Sequence, residues 1–175
     1  MTEAQLSNAM DAYGSTVYRL ALTRMQNIAD AEDVYQEVFL RLWKQAAEDW
    51  DGDRAKAWLI RTTLNRCADL HRFHLRRPVL SFAEIPDLAQ PEDESRELWE
   101  AVSRLPEKAR TAVHLYYAEG YSAEEISQLM HIPAATVRTR LRRARKQLKE
   151  LLGGIDDETC VSRSDGTNFG PQRAE

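Results

Sequence analysis

The sequence has little of what would build a disulfide scaffold, a membrane protein or a β-sheet. Two cysteines, Cys67 and Cys160, stand far apart among 175 residues. A disulfide framework is therefore not expected, and a reducing cytoplasm is the natural compartment. No run approaches the ~20 apolar residues of a membrane span, so membrane insertion is not expected. The opening stretch MTEAQLSNAMDAYGS has no basic region followed by an apolar core, so no secretory signal is expected either. No convincing strand-like run occurs. A nucleophile elbow, a phosphate-binding glycine loop and a zinc-protease motif are all missing. Neither an enzyme nor a cofactor is expected.

Apolar residues make up 43% and charged residues 30% of the chain, as in a globular protein. The 24 basic and 28 acidic residues leave a net charge of −4, which argues against nucleic-acid binding until the charges are placed along the chain. Prolines 78, 86, 91, 106, 133 and 171, and every glycine except Gly14, fall between segments whose apolar residues recur every three to four positions. That period predicts an all-α fold. Two helical blocks emerge, one from about Ala4 to Pro78 and one from about Ser95 to Leu152. Between them SFAEIPDLAQPEDE, Ser81 to Glu94, holds two prolines, five acids and no base; it reads as an acidic, flexible linker. The expected organisation is two small helical domains over residues 1–80 and 95–152, a linker over 81–94 and a disordered tail over 153–175.

The most informative segment is GYSAEEISQLMHIPAATVRTRLRRARKQLKELL. Ser122 and Glu125 make a capping box, and Ile126, Leu129 and Met130 give the following helix an apolar face. After the short break at His131-Ile132, Pro133 opens a second helix at its first position, where a missing N–H costs nothing. Two short helices this close predict a helix-turn-helix. Val137, Leu141, Ala144, Leu148 and Leu151 form one buried stripe on the second helix. Around it stand Arg138, Arg140, Arg142, Arg143, Arg145, Lys146 and Lys149, with no acid between His131 and Lys149. A merely solvated helix mixes both signs, so this one suits a major groove. Upstream, two helices broken at Leu105-Pro106 supply Leu98, Val102, Val113, Tyr116 and Tyr117 as packing behind it.

In the first block, DAEDVYQEVFLRLWK places Val34, Tyr35, Val38, Phe39 and Leu42 on one helix face. Asp33, Gln36, Glu37 and Lys44 lie opposite with Leu40 among them, an apolar residue in a polar stripe of the kind interfaces use. The stretch AWLIRTTLNRCADLHRFHLRRP sets Arg61, Arg66, Arg72, Arg76 and Arg77 against the single acid Asp69, with Trp58 and Phe73 interleaved. Arginine with aromatics suits single-stranded nucleic acid. Trp58 reads as a core anchor and Trp50, among loop aspartates, as the better stacking candidate. Cys67, His71 and His74 share a narrow helical arc, but no fourth metal ligand is obvious; a buried thiol beside surface histidines is the expectation. Asp49, Asp51 and Asp53 alternate like a calcium loop, but Arg54 and Ile60 occupy the positions of its glycine and closing glutamate.

Taken together, DAEDVYQEVFLRLW, AWLIRTTLNRCADLHRFHLRRP and LPEKARTAVHLYYAEGYSAEEISQLMHIPAATVRTRLRRARKQL resemble the bacterial extracytoplasmic-function (ECF) sigma factors over roughly Tyr13 to Leu152. The resemblance implies a cytoplasmic subunit that directs core RNA polymerase to promoter DNA, starts its melting and answers to an anti-sigma factor. It assigns Asp33, Gln36, Glu37 and Leu40 to the polymerase. It assigns Trp50, Arg61, Asn65, Arg66 and Arg72 to the minus-ten element, and Thr136, Arg138, Thr139, Arg140 and Arg143 to the minus-thirty-five element. A free-standing helix-turn-helix regulator is the rival reading; it leaves the acidic helix and the Arg/Trp/Asn segment without a purpose.

Overall fold

The structure, a computed structural model, describes residues 1–45, 52–76 and 93–153, with side chains of the last segment from residue 96. These residues form seven α-helices and no strand among them: α1 (Glu3–Met25), α2 (Ile28–Lys44), α3 (Gly52–Arg76), α4 (Asp93–Ser103), α5 (Glu107–Val113), α6 (Ala123–Met130) and α7 (Ala134–Leu151). A π-helical segment, His114–Ala118, prolongs α5. The all-α expectation is met. Trp50, nearly all of the acidic stretch 81–94 and the tail beyond Gly153 lie outside the described residues.

Local chemistry sets the helix ends. Thr2 and Gln5 form a reciprocal capping box that starts α1. Gln26 ends it in the left-handed conformation, φ 52°, and Asn27 at once caps α2 by accepting from the Asp30 N–H at 2.9 Å. Two residues thus turn the chain, and α1 and α2 pack as a hairpin. Gly14 lets them approach: a Cβ there would stand 3.0 Å from the Tyr35 hydroxyl. Helix α3 completes this N-terminal bundle, whose core draws Val17 and Leu22 from α1, Val34 and Phe39 from α2, and Leu59 and Cys67 from α3. Trp58 packs against it partly buried.

The Ser122–Glu125 capping box stands as the sequence suggested, with both reciprocal bonds made. His131, φ 52°, turns the chain between α6 and α7, giving the helix-turn-helix. Pro133 is the cap before α7 and not its first helical residue; its carbonyl accepts from Thr136 and Val137. Val137, Leu141 and Ala144 are buried as expected, whereas Leu151, in the last turn and past the end of the core, is 41% exposed. Leu98 and Tyr117 are also exposed, at 48% and 56%. Leu98 lies on α4, which packs less than its neighbours. Tyr117 sits in the π segment, whose wider turn shifts the helical phase: Leu115 points fully inward and Tyr117 out.

The two bundles are not separate beads. The C-terminal core of Leu105, Leu115, Ile126, Val137 and their neighbours is continuous with Leu20 of α1 and with Ile60 and Leu64 of α3.

Candidate nucleic-acid interface

Helix α7 presents its basic residues on the side away from Val137, Leu141 and Ala144 because the buried stripe fixes its rotation. Arg138 and Arg143 are exposed, and Thr136, Thr139 and Arg140 are half-buried. The Arg138 guanidinium donates to Glu124 of α6 at 2.5 Å. The Thr139 hydroxyl donates to the Ala135 carbonyl at 2.9 Å, a bond internal to the helix. Among the described residues Arg140 and Arg143 meet no carboxylate, so their charge is directed to solvent. Thr136, Thr139, Arg140 and Arg143 therefore share one face, while Arg138 lies on the other flank of the buried stripe, beside Glu124 of α6.

On α3, Arg61 and Asn65 are exposed and one helical turn apart. Arg66 is half-buried and donates to Asp33 of α2 at 3.0 Å. Arg72 donates to the Ala68 carbonyl at 3.2 Å and to Asp69 at 2.7 Å. Two of the arginines expected on nucleic acid are thus already held by carboxylates, and Arg66 ties the acidic helix to the basic one. An open groove runs between them, lined by Asp33, Arg66, Asp69, Arg72, Phe73 and Arg76.

On α2 the faces separate as expected. Asp33, Gln36 and Leu40 are exposed, and Leu40 keeps 53% of its surface. Glu37 accepts from Arg41 at 2.9 Å. That hydrogen bond holds its carboxyl below the usual range, against a smaller effect of desolvation and with help from the charges of Arg41, Arg66 and Lys44. Cys67 is fully buried, and desolvation pushes its thiol up to about 12. His71 instead faces Glu107 and His74 faces Asp30, each at 3.7 Å, so the three residues do not converge on a common point. Among the described residues no cluster of three or more His, Cys, Asp or Glu side chains is placed to hold a metal.

Two segments match known families: residues 9–77 match sigma-70 region 2, and residues 95–148 match sigma-70 region 4. Helices α2 and α3 lie inside the first match, and α5 and α6 inside the second. The chain is 32% identical to the ECF RNA polymerase sigma factor SigM of Bacillus subtilis, an alignment covering 83% of this chain and 94% of SigM. This chain belongs to the ECF RNA polymerase sigma factors. It is also 33% identical to ECF sigma factor SigE of Mycolicibacterium smegmatis, over 86% of this chain but 62% of SigE. The ECF sigma factor thus spans less than two thirds of that longer relative. Its fold is that of the Bartonella quintana sigma factor RpoE, solved in complex with the anti-sigma factor NepR, with a TM-score of 0.72 at 23% identity over 91% of this chain and 99% of RpoE.

Sequence reasoning missed three features of this sigma factor. Trp43, 42% exposed, stands one turn beyond Leu40 and adds a second large apolar side chain to that surface; the three-residue spacing was a usable signal. Glu124, the partner of Arg138, lies in the stretch read only as a capped helix. The polar residues joining the two bundles carried no local signal at all.

Proposed function

We propose that this sigma factor directs core RNA polymerase to specific promoters and begins DNA melting. Residues 1–80 serve as the polymerase and minus-ten domain, 95–152 as the minus-thirty-five domain and 81–94 as the tether. Asp33, Gln36, Glu37 and Leu40 form the polymerase contact, an acidic rim around an apolar centre that suits a basic helical partner. Arg61, Asn65, Arg66 and Arg72 meet the minus-ten strand, together with Trp50 from the preceding loop. Asn65 offers an amide that both donates to and accepts from a base edge, and the arginines meet phosphates. Thr136, Arg138, Thr139, Arg140 and Arg143 enter the major groove at the minus-thirty-five element.

The observation that carries this reading is the segregation of charge. An overall acidic chain presents a carboxylate face on α2 and two basic faces, on α3 and α7, each held by its own buried stripe. Binding drives the mechanism: captured bases must offset an unpairing cost of roughly a few kcal/mol per base. A cytoplasmic site of action follows from the work proposed; among the described residues no helix is long and apolar enough to cross a membrane. An anti-sigma factor, as NepR is to RpoE, is the proposed regulator. The test is run-off transcription with purified core enzyme on genomic fragments, including the gene's own upstream region. Discrete, chain-dependent start sites support the reading, and their absence on every template refutes it.

A further inference from the structure

We propose that the chain beyond α7 folds back along it, its acids Asp156, Asp157 and Glu158 occupying a basic flank of the helix in place of a DNA phosphate strand. The inference rests on the promoter-binding function proposed above and adds an internal competitor to it.

The flank in question is not the face that carries Thr139 and Arg143. Helix α7 holds seven cations, and the burial of Val137, Leu141 and Ala144 fixes its rotation. Arg138, Arg142, Arg145 and Lys149 recur at intervals of four, three and four residues and so form one stripe beside the buried one. All four are exposed. At ~1.5 Å per residue the stripe is roughly 16 Å long. Arg138, at its N-terminal end, is already held by a carboxylate, that of Glu124 on α6. Arg142 and Arg145 meet no carboxylate among the described residues. Like charges at this spacing repel, so an anion laid along them is favoured.

The course of the chain decides which anion arrives. Leu152 donates to the Leu148 carbonyl at 2.9 Å and closes the last turn. Gly153 follows with φ 72°, the left-handed conformation that turns a chain out of a helix. The described residues end there. Next come Gly154, Ile155 and the three acids, with no base before Arg163. At ~3.3 Å per residue an extended return places the acids roughly 10 to 16 Å back from Gly153. Arg145 and Arg142 lie roughly 12 and 16 Å back along the helix at its rise of ~1.5 Å. The acids and the two arginines therefore fall in register. The same reversal takes the acids away from the negative end of α7, which would repel them. Each exposed pair is weak alone, but so short a tether holds the acids at an effective concentration of roughly millimolar.

With α7 in a major groove, its flanks face the phosphate strands. A strand approaching Arg142 and Arg145 must first displace the carboxylates. The competition falls on backbone contacts, and so on affinity that is independent of sequence.

The experiment uses the full chain with a nitroxide on Cys160, just beyond the acids; Cys67 is buried and stays unlabelled. Paramagnetic relaxation is read at the backbone amides of α7. Enhancement at Arg142 and Arg145 is expected to be about threefold larger in the parent than in the variant Asp156→Asn, Asp157→Asn, Glu158→Gln at ~50 mM salt, and to fall to the variant's level at ~500 mM. In parallel, anisotropy on a duplex lacking both promoter elements is expected to show the neutralised variant binding about fivefold more tightly than the parent at ~50 mM salt. In an Arg142→Gln, Arg145→Gln background the same neutralisation is expected to change affinity less than about twofold, because the acids have lost their seat. Equal enhancement in the parent and the neutralised chain overturns the proposal. So does an equal gain in affinity in both backgrounds, which is what bulk charge alone produces. The relaxation readout needs no DNA, so a failed fold-back is distinguishable from a failed promoter assignment, which run-off transcription tests.

Discussion

Burial decides what Cys67 can do. With no exposed surface and its thiol pushed up to about 12 by desolvation, it stays protonated and unreactive. Iodoacetamide at pH 8 is expected to leave Cys67 unmodified in the native chain and to modify it after denaturation, as read by peptide mass spectrometry. The candidate site residues divide by what already holds them. Arg143 meets no carboxylate among the described residues, so Arg143→Ala is expected to weaken minus-thirty-five binding by ~1–3 kcal/mol if it makes a bidentate base contact. Anisotropy on a matched and a scrambled fragment measures this. Arg138 must first leave Glu124, but an exposed pair of this kind is worth at most ~1 kcal/mol, so Arg138→Ala is expected to fall in the same range. Asp33→Arg with Glu37→Arg is expected to abolish polymerase binding while circular dichroism stays that of the parent. Unchanged affinity in a pull-down with core enzyme counts against the α2 assignment.

At the scale of the element, the caps carry much of the definition. Ser122→Ala removes one half of the reciprocal box that starts α6 and is expected to cost ~1 kcal/mol, seen as a lower Tm with the same helical content. This box was legible because its chemistry is local: two residues three apart answer each other's backbone. The buried stripe of α7 was legible for the same reason, and so was the split of α2 into apolar and acidic faces. The π segment was not. Nothing in HLYYA announces an extra residue in the turn, and its effect is to carry Tyr117 off the face that the ordinary helical period assigns it. Arg66 and Arg72 show the same limit from the electrostatic side. Their positions on α3 were read correctly, but the carboxylates that hold them become neighbours only when α2 packs beside α3 or when one turn of helix brings Asp69 round.

For the whole molecule, the join between bundles links residues as far as 103 positions apart in sequence, and no period or motif marks such pairs. The sequence read as two small helical domains on a tether, and the packing adds a shared core between them. His114 sits at that join, its Nδ1 3.2 Å from the Thr23 hydroxyl and its Nε2 3.8 Å from a Glu119 oxygen. Desolvation lowers its pKa; Glu119 opposes this and Arg19 adds to it. A histidine whose folded pKa lies below the unfolded value of about 6.5 favours the packed state while neutral. Its contribution is present above pH ~6.5 and is lost as pH falls through the lower, folded value. Urea unfolding at stepped pH is expected to show stability declining below pH ~6.5, with His114→Gln flattening that part of the profile.

The bond between Asp33 and Arg66 couples the two proposed contacts. Under that assignment, a phosphate and a basic helix of the transcriptase would compete for the two ends of one exposed pair, so each event would ease the other by at most ~1 kcal/mol. Docking and base capture would then be mutually permissive, with no fixed sequence between them.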